Sequence, residues 1–219
     1  MLRYPKGKAP SCLAELQATP GAKWSSLGAA ERGEIRSALA RDQGRLCAYC
    51  QRRLPAEGDA AVAHGFKIEH WEARSKEQGN DFQWRHLLGV CSGDTSAPER
   101  MFHCDHKRGN TPLFLHPVEG EGPNPRQFLR YLGDGTVRSD DPQAEKDVDK
   151  TLNLNAVFLT RARREVIKAL QDRLEKKGWS PHALTKELEA YALRAGVAAP
   201  EHAEVARYYL EKKLRRKKS

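Results

Sequence analysis

Four cysteines constrain this chain more than any other feature. Cys47-Ala48-Tyr49-Cys50 is a CxxC, and Cys91 and Cys104 follow downstream. Two thiolates at this spacing can grip one metal ion from a tight knuckle turn. Four make the closed tetrahedral set suited to structural Zn2+. The stretch 46–110 has poor hydrophobic periodicity, so a metal staple is expected to supply the order that apolar burial does not. The second pair is not compact. The insert 92–103 is polar and contains Gly93 and Pro98, so it can loop out and still return Cys104 to the metal. His103 or His106 can also replace one cysteine as ligand. The competing reading is a redox pair or buried free thiols. A thioredoxin-like motif needs a βαβ context, which this stretch lacks. Cys12 is left over as an ordinary thiol.

Length and composition set the remaining bounds. The chain has 219 residues, 39% hydrophobic and 31% charged, which suits one large domain or two small ones. No apolar run approaches a membrane span, and Met1 to Lys6 lack the apolar core of a signal peptide, so a cytoplasmic location is expected. In that compartment disulfides are not expected. The formal net charge of +9 points to a polyanionic partner such as nucleic acid. Five of those nine charges sit in residues 211–219, and basic tails are often only solubilising.

Four stretches follow from the local patterns. Residues 1–45 read as an extended arm with Pro5, Pro10 and Pro20, then a helix over 27–45 with Ile35 and Leu39 on one face. Residues 46–115 hold nearly all the chemically suggestive side chains. Residues 116–150 read as a Pro/Gly-rich connector and a hairpin, with 128–132 and 136–137 flanking the turn set Gly133-Asp134-Gly135. Residues 151–219 read as helical. Asn155 is the expected N-cap of a helix with Leu159, Ala162, Val166, Leu170 and Leu174 in one stripe, closed by Gly178. Ser180-Pro181 starts a second helix ending near Gly196, and Pro200 opens a third that runs into the basic tail. The expected class is α+β.

Between the halves of the cysteine set lies Glu69-His70. Adjacent residues of a strand face opposite ways, so the two converge only if the backbone bends. Taken alone, such a pair is more often an exposed pair on a polar strand. Downstream come Asp81 to Cys91, with Phe82, Trp84, His86 and Leu87-Leu88, and then Cys104-Asp105-His106-Lys107-Arg108-Gly109-Asn110. This order resembles the zinc-bearing form of the HNH nuclease superfamily. More narrowly, it is similar to the HNH subunit of Septu-type and retron-associated anti-phage systems. The opening arm (Lys6, Pro10, Trp24), the run 39–49 through Gln43, and the stretches 151–155 and 161–164 add to that likeness.

The resemblance implies a ββα-metal core stapled by Zn2+, with a helical N-terminal segment and a C-terminal helical region. It implies an endonuclease with His70 as general base, and with Glu69 and Asp105 holding a catalytic Mg2+ or Mn2+. His86 stands where the family usually has the asparagine that orients the catalytic histidine. It can donate the same bond or bind the metal. Lys107 and Arg108 would meet phosphate, and Arg108 would stabilise the transition state. The alternative for Asp105 is a helix N-cap, and for the two basic residues an exposed helix end. Trp71, Trp84 and Phe82 are either base-stacking groups or packing around the zinc site, with packing the more usual role. The family implies DNA or RNA as substrate and an ATPase partner of a defence operon, docked on the C-terminal helices unless these pair with a second copy of the chain. The alternative function is a non-catalytic zinc-dependent nucleic-acid-binding or adaptor module.

Overall fold

A computed structural model describes residues 1–55, 66–72, 81–93 and 98–218. The centre of the expected loop, 94–97, and Ser219 lie outside them. The described chain is α+β, with helices around two small antiparallel sheets.

The first sheet pairs β1 (Lys67–His70) with β2 (Leu87–Val90), placing Glu69 opposite Leu88 and His70 opposite Leu87. Leu87 on one face and Leu88 and Val90 on the other are all buried, so β2 is covered on both sides. The CxxC knuckle is closed by a bridge between Leu46 and Arg53 and by hydrogen bonds from Gln51 N to Cys47 O and from Cys47 N to Arg52 O. The short helix α3 (Cys104–Arg108) completes the site-bearing part.

The N-terminal stretch is less extended than its prolines imply. It forms α1 (Ser11–Ala18) and a 3-10 turn at Trp24–Ser26 before α2 (Ala29–Asp42). Pro10 sits at the N-cap of α1, where a missing N–H costs nothing. Ile35 and Leu39 are fully buried on α2. The arm is also part of the core. Leu2 and Tyr4 are buried, and Leu2 N donates to Ala48 O. The knuckle residues Leu46 to Cys50 belong to the same hydrophobic cluster as Leu2, Leu115, Leu152 and Leu170. The segment without its own periodicity is therefore packed by the rest of the chain.

Gln43, wholly buried just past α2, welds these parts together. Its amide donates to Gly89 O at 2.8 Å and Leu46 O at 2.7 Å, and accepts from Gly89 N at 2.7 Å and from the Tyr4 hydroxyl at 3.1 Å. It thereby pairs with β2 as a strand residue would. Position 89 must be glycine for this approach, because a Cβ there would lie 2.8 Å from the Phe66 ring and 3.2 Å from Gln43 Nε2. Gln43→Leu is expected to destabilise the chain by about 2–4 kcal/mol, since it strands several buried polar groups at once. Urea unfolding measures this, and a cost below about 1 kcal/mol contradicts it.

The hairpin forms as β3 (Leu129–Tyr131) and β4 (Val137–Ser139), preceded by α4 (Pro125–Phe128). At Gly135, φ is +88° and a Cβ would sit 2.0 Å from Thr160 O, so the turn requires glycine. Helix begins earlier than 151. Asp141 caps α5 (Pro142–Lys146), and a π-helical turn follows over Asp147–Thr151.

Asn155 does not cap the long helix α6 (Val157–Lys177), whose N-cap is Ala156. Its side chain instead accepts from Val137 N and donates to Val137 O, tying the helix entry to β4. The buried stripe of α6 is Leu159, Arg163, Ile167, Leu170 and Leu174, while Ala162 and Val166 are half-buried. The expected stripe missed Arg163 because its aliphatic stem packs inward and its charge is met by carbonyls. It donates to Gly135 O at 2.5 Å and Leu154 O at 2.7 Å. Gly178 closes α6, and the Ser180 hydroxyl accepts from Ala183 N to start α7 (Pro181–Ala190). That helix ends six residues before Gly196, with Tyr191 as its buried cap. The basic tail is not a loose extension, because it belongs to α8 (Ala203–Lys218), which packs on α6 and α7. Among the described residues no helix is long and apolar enough to cross a membrane.

Candidate active site and metal centre

Cys47 and Cys50 come from the knuckle, Cys91 from just past β2 and Cys104 from the first position of α3. Their sulfur atoms all lie within 4.8 Å of one another. Cys47 Sγ is 3.9 Å from Cys104 Sγ, and Cys50 Sγ is 3.7 Å from Cys91 Sγ. A tetrahedron with metal–sulfur bonds of about 2.3 Å has edges of about 3.8 Å, whereas a disulfide needs about 2.05 Å. The spacing therefore suits a set that could hold a metal ion such as Zn2+. Cys104 reaches its place through a left-handed backbone, φ +53°, with its N–H on Leu152 O. Such a conformation is rare for a non-glycine residue and persists only where the surroundings impose it.

So many thiols in one buried place cannot all ionise. Burial pushes Cys50 and Cys104 well up, while the S–H groups of Cys104 and its neighbours hold Cys91 well down. Of the two alternative ligands, His103 is buried against the set, its Nε2 3.6 Å from Cys91 Sγ. His106 is exposed and faces the neighbouring cleft.

That cleft has a volume of about 750 Å3 and lies between β1, α2 and α3. Glu69, His70, Asp105 and Arg108 line it together. Asp105 directly follows Cys104, so whatever fixes that sulfur also fixes this carboxylate. Lys67 Nζ is 2.6 Å from Asp105 Oδ2, and Arg108 pairs with Glu69. Asp105 has no side-chain cap bond to α3, whose N-cap is His103. Glu69 is pushed up to about 8, first by burial and then by its hydrogen bond and charge contact with Asp105, with Arg108 opposing. Two carboxyls sharing a buried site is the electrostatic condition that a divalent cation relieves.

Two contacts with described residues help to hold His70. Its Nε2 is 3.0 Å from Asp81 O, and its ring meets Trp24 edge-on with centroids 4.4 Å apart. A carbonyl only accepts, so the bond places the proton on Nε2 and the neutral ring's lone pair on Nδ1.

The other expected site residues are placed differently. His86 lies outside the cleft, with its Nδ1 3.3 Å from Glu72 and its Nε2 3.8 Å from Glu121. It follows Gln83–Arg85 into β2, and its carbonyl accepts from Trp71 N. In the antiparallel register this puts it on the side opposite His70, so it does not orient that ring, and it is not among the residues that line the cleft with Glu69 and Asp105. Arg108 lines the cleft but is 2% exposed, and its donors go to Thr111 O, the Tyr49 hydroxyl, Glu69, His70 O and Trp71 O. It braces the site rather than offering itself to a ligand. Lys107 is exposed and does not line the cleft. Phe82 and Trp84 are buried, and Trp71 donates to Leu115 O, so these rings pack the protein.

The cleft also contains Trp24, Arg32, Arg36 and Lys67, which sequence reasoning did not assign to it. The one available signal was the spacing of Arg32 and Arg36, which puts both on one helix face. A scan against protein-family models, a search of curated proteins and a search of solved structures each returned no match.

Proposed function

We propose that this chain is a metal-dependent HNH-type endonuclease that hydrolyses phosphodiester bonds of DNA or RNA. The observation that supports this most is the meeting of His70, Glu69 and Asp105 in one cleft beside a four-cysteine set. In this reading the cysteines hold a structural Zn2+ and β1, β2 and α3 form the ββα core. His70 Nδ1 takes the proton of the attacking water. Glu69 and Asp105 would hold Mg2+ or Mn2+, for which one or two carboxylates plus water suffice. When bound, that ion supplies Lewis-acid stabilisation of the phosphoryl and leaving oxygens. Arg108 keeps Glu69 and the end of β1 in place. The motif resemblance supports a further step, that the chain is the effector of an anti-phage system acting with an ATPase partner. The helices α6 to α8 are then its docking surface.

One observation favours a second reading, a non-catalytic zinc-dependent nucleic-acid-binding module. Both carboxylates are already paired with cationic side chains, as in a purely structural network. Cleavage assays separate the two. Wild-type protein with Mg2+ or Mn2+ is expected to cut nucleic acid, and Asp105→Asn to lower the rate at least about 10²-fold, the scale of losing one charge-stabilising group. Equal rates for both, or no cutting with either ion in the chain or its co-expressed complex, favour the binding module.

A further inference from the structure

One wall of the cleft has no role in this chemistry. Helix α2 turns Arg32 and Arg36 into it, one helical turn apart. Each guanidinium is anchored by neutral carbonyls. Arg32 Nε donates to Leu27 O at 3.2 Å and its Nη2 to Trp24 O at 3.1 Å, with the guanidinium carbon 5.6 Å from the Trp24 ring centroid. Arg36 Nε donates to Phe66 O at 3.0 Å. Among the described residues no carboxylate forms a salt bridge with either.

Lys67 and Arg108 are matched by Asp105 and Glu69. Among the described residues Arg32 and Arg36 are matched by no carboxylate, so within this part of the protein they carry the cleft's surplus charge. Both are half-buried and directed by fixed carbonyls, which lowers the entropy lost on meeting a ligand. A guanidinium has five donors in a planar fork. Arg36 commits one of them here and Arg32 two. The forks fit the oxygens of a phosphodiester, and two of them one turn apart, with Cβ atoms about 6 Å from each other, suit successive phosphates of one strand.

We propose that Arg32 and Arg36 form a phosphate clamp that holds a nucleic-acid backbone along the α2 wall, facing Asp105 and beside His70. The orientation relative to the reacting phosphate rests on the nuclease reading, but the anion site does not. The clamp touches phosphate and not base edges, so it binds without sequence preference. Trp24 links the two functions, since its carbonyl anchors Arg32 and its ring packs on His70.

Fluorescence anisotropy tests this in a His70→Ala background without added Mg2+ or Mn2+. The probes are labelled single-stranded DNA, single-stranded RNA and duplex DNA of mixed sequence, each over a salt series. Arg32→Ala with Arg36→Ala is expected to weaken binding at least about 10-fold on every sequence that binds. It is also expected to flatten the slope of log affinity against log salt by about 1.4–1.8, which is two phosphate contacts at about 0.7–0.9 each. Arg36→Lys, which keeps the charge but loses the fork, should fall between wild type and the double variant, with unchanged melting in both variants. Lys212→Ala with Lys213→Ala and Arg216→Ala, on a separate groove of α8, should retain most of the affinity. Wild-type affinity and slope in the double variant overturn the clamp, as does loss of all binding in the α8 variant alone. Either result leaves the role of His70 untouched. A weakened double variant of a protein that never cuts keeps the clamp and overturns the nuclease reading instead.

Discussion

His70→Ala is expected to slow nucleic-acid cleavage by about 10²–10⁴-fold, the usual worth of a positioned general base. That corresponds to about 3–5 kcal/mol of barrier. The expectation rests on how the ring is held. The Asp81 carbonyl 3.0 Å from Nε2 fixes the tautomer, and Trp24 at 4.4 Å fixes the plane. A ring anchored only for packing needs neither a defined tautomer nor an edge on a cleft with two carboxyls. Single-turnover cleavage of a labelled substrate, with protein in excess, isolates the chemical step. The control is binding, which should persist because His70 is not part of the α2 wall. Cleavage by the variant at the wild-type rate would remove His70 from the chemistry, and with it the general-base mechanism.

Cys50→Ser is expected to abolish stoichiometric Zn2+ binding and to destabilise the chain by at least about 4 kcal/mol. For a chain of this length that lowers Tm by about 8–16 °C, at about 2–4 °C per kcal/mol. Isolated zinc-folded peptides depend on their metal for about 10–16 kcal/mol. The effect should be smaller here because the knuckle lies in a cluster shared with the arm and the C-terminal helices. Lost ligation also frees Cys104, whose left-handed backbone carries Asp105 at its next residue. Loss of stability should therefore come with loss of cleavage, even in molecules that remain folded. Elemental analysis of purified protein is expected to give one zinc per chain, falling to near zero in the variant. Metal-free wild type with an unchanged Tm would show that the four sulfurs are only a packed cluster.

The sequence alone determined what depends on chemistry at short range. Cysteine has few roles in such a pattern, so Cys47, Cys50, Cys91 and Cys104 named their own cluster. Gly178 and Ser180-Pro181 marked helix ends because backbone φ and capping bonds are local properties. The adjacency of Cys104 and Asp105 was likewise legible, since a covalent neighbour cannot move away.

Tertiary structure decided where long side chains spend their bonds. His86 was aligned by order with an orienting residue, yet strand register turned it toward Glu72 and Glu121. Arg108 looked available for phosphate, but burial commits its donors to five other residues. Arg163 was hidden in an apolar stripe because no local pattern announces a buried cation satisfied by distant carbonyls. Trp24, Arg32 and Arg36 joined the cleft only when the arm and α2 packed against the β1–β2 pair. Spacing along a chain fixes which face a residue takes on its own element. What that face meets depends on contacts between residues far apart in sequence.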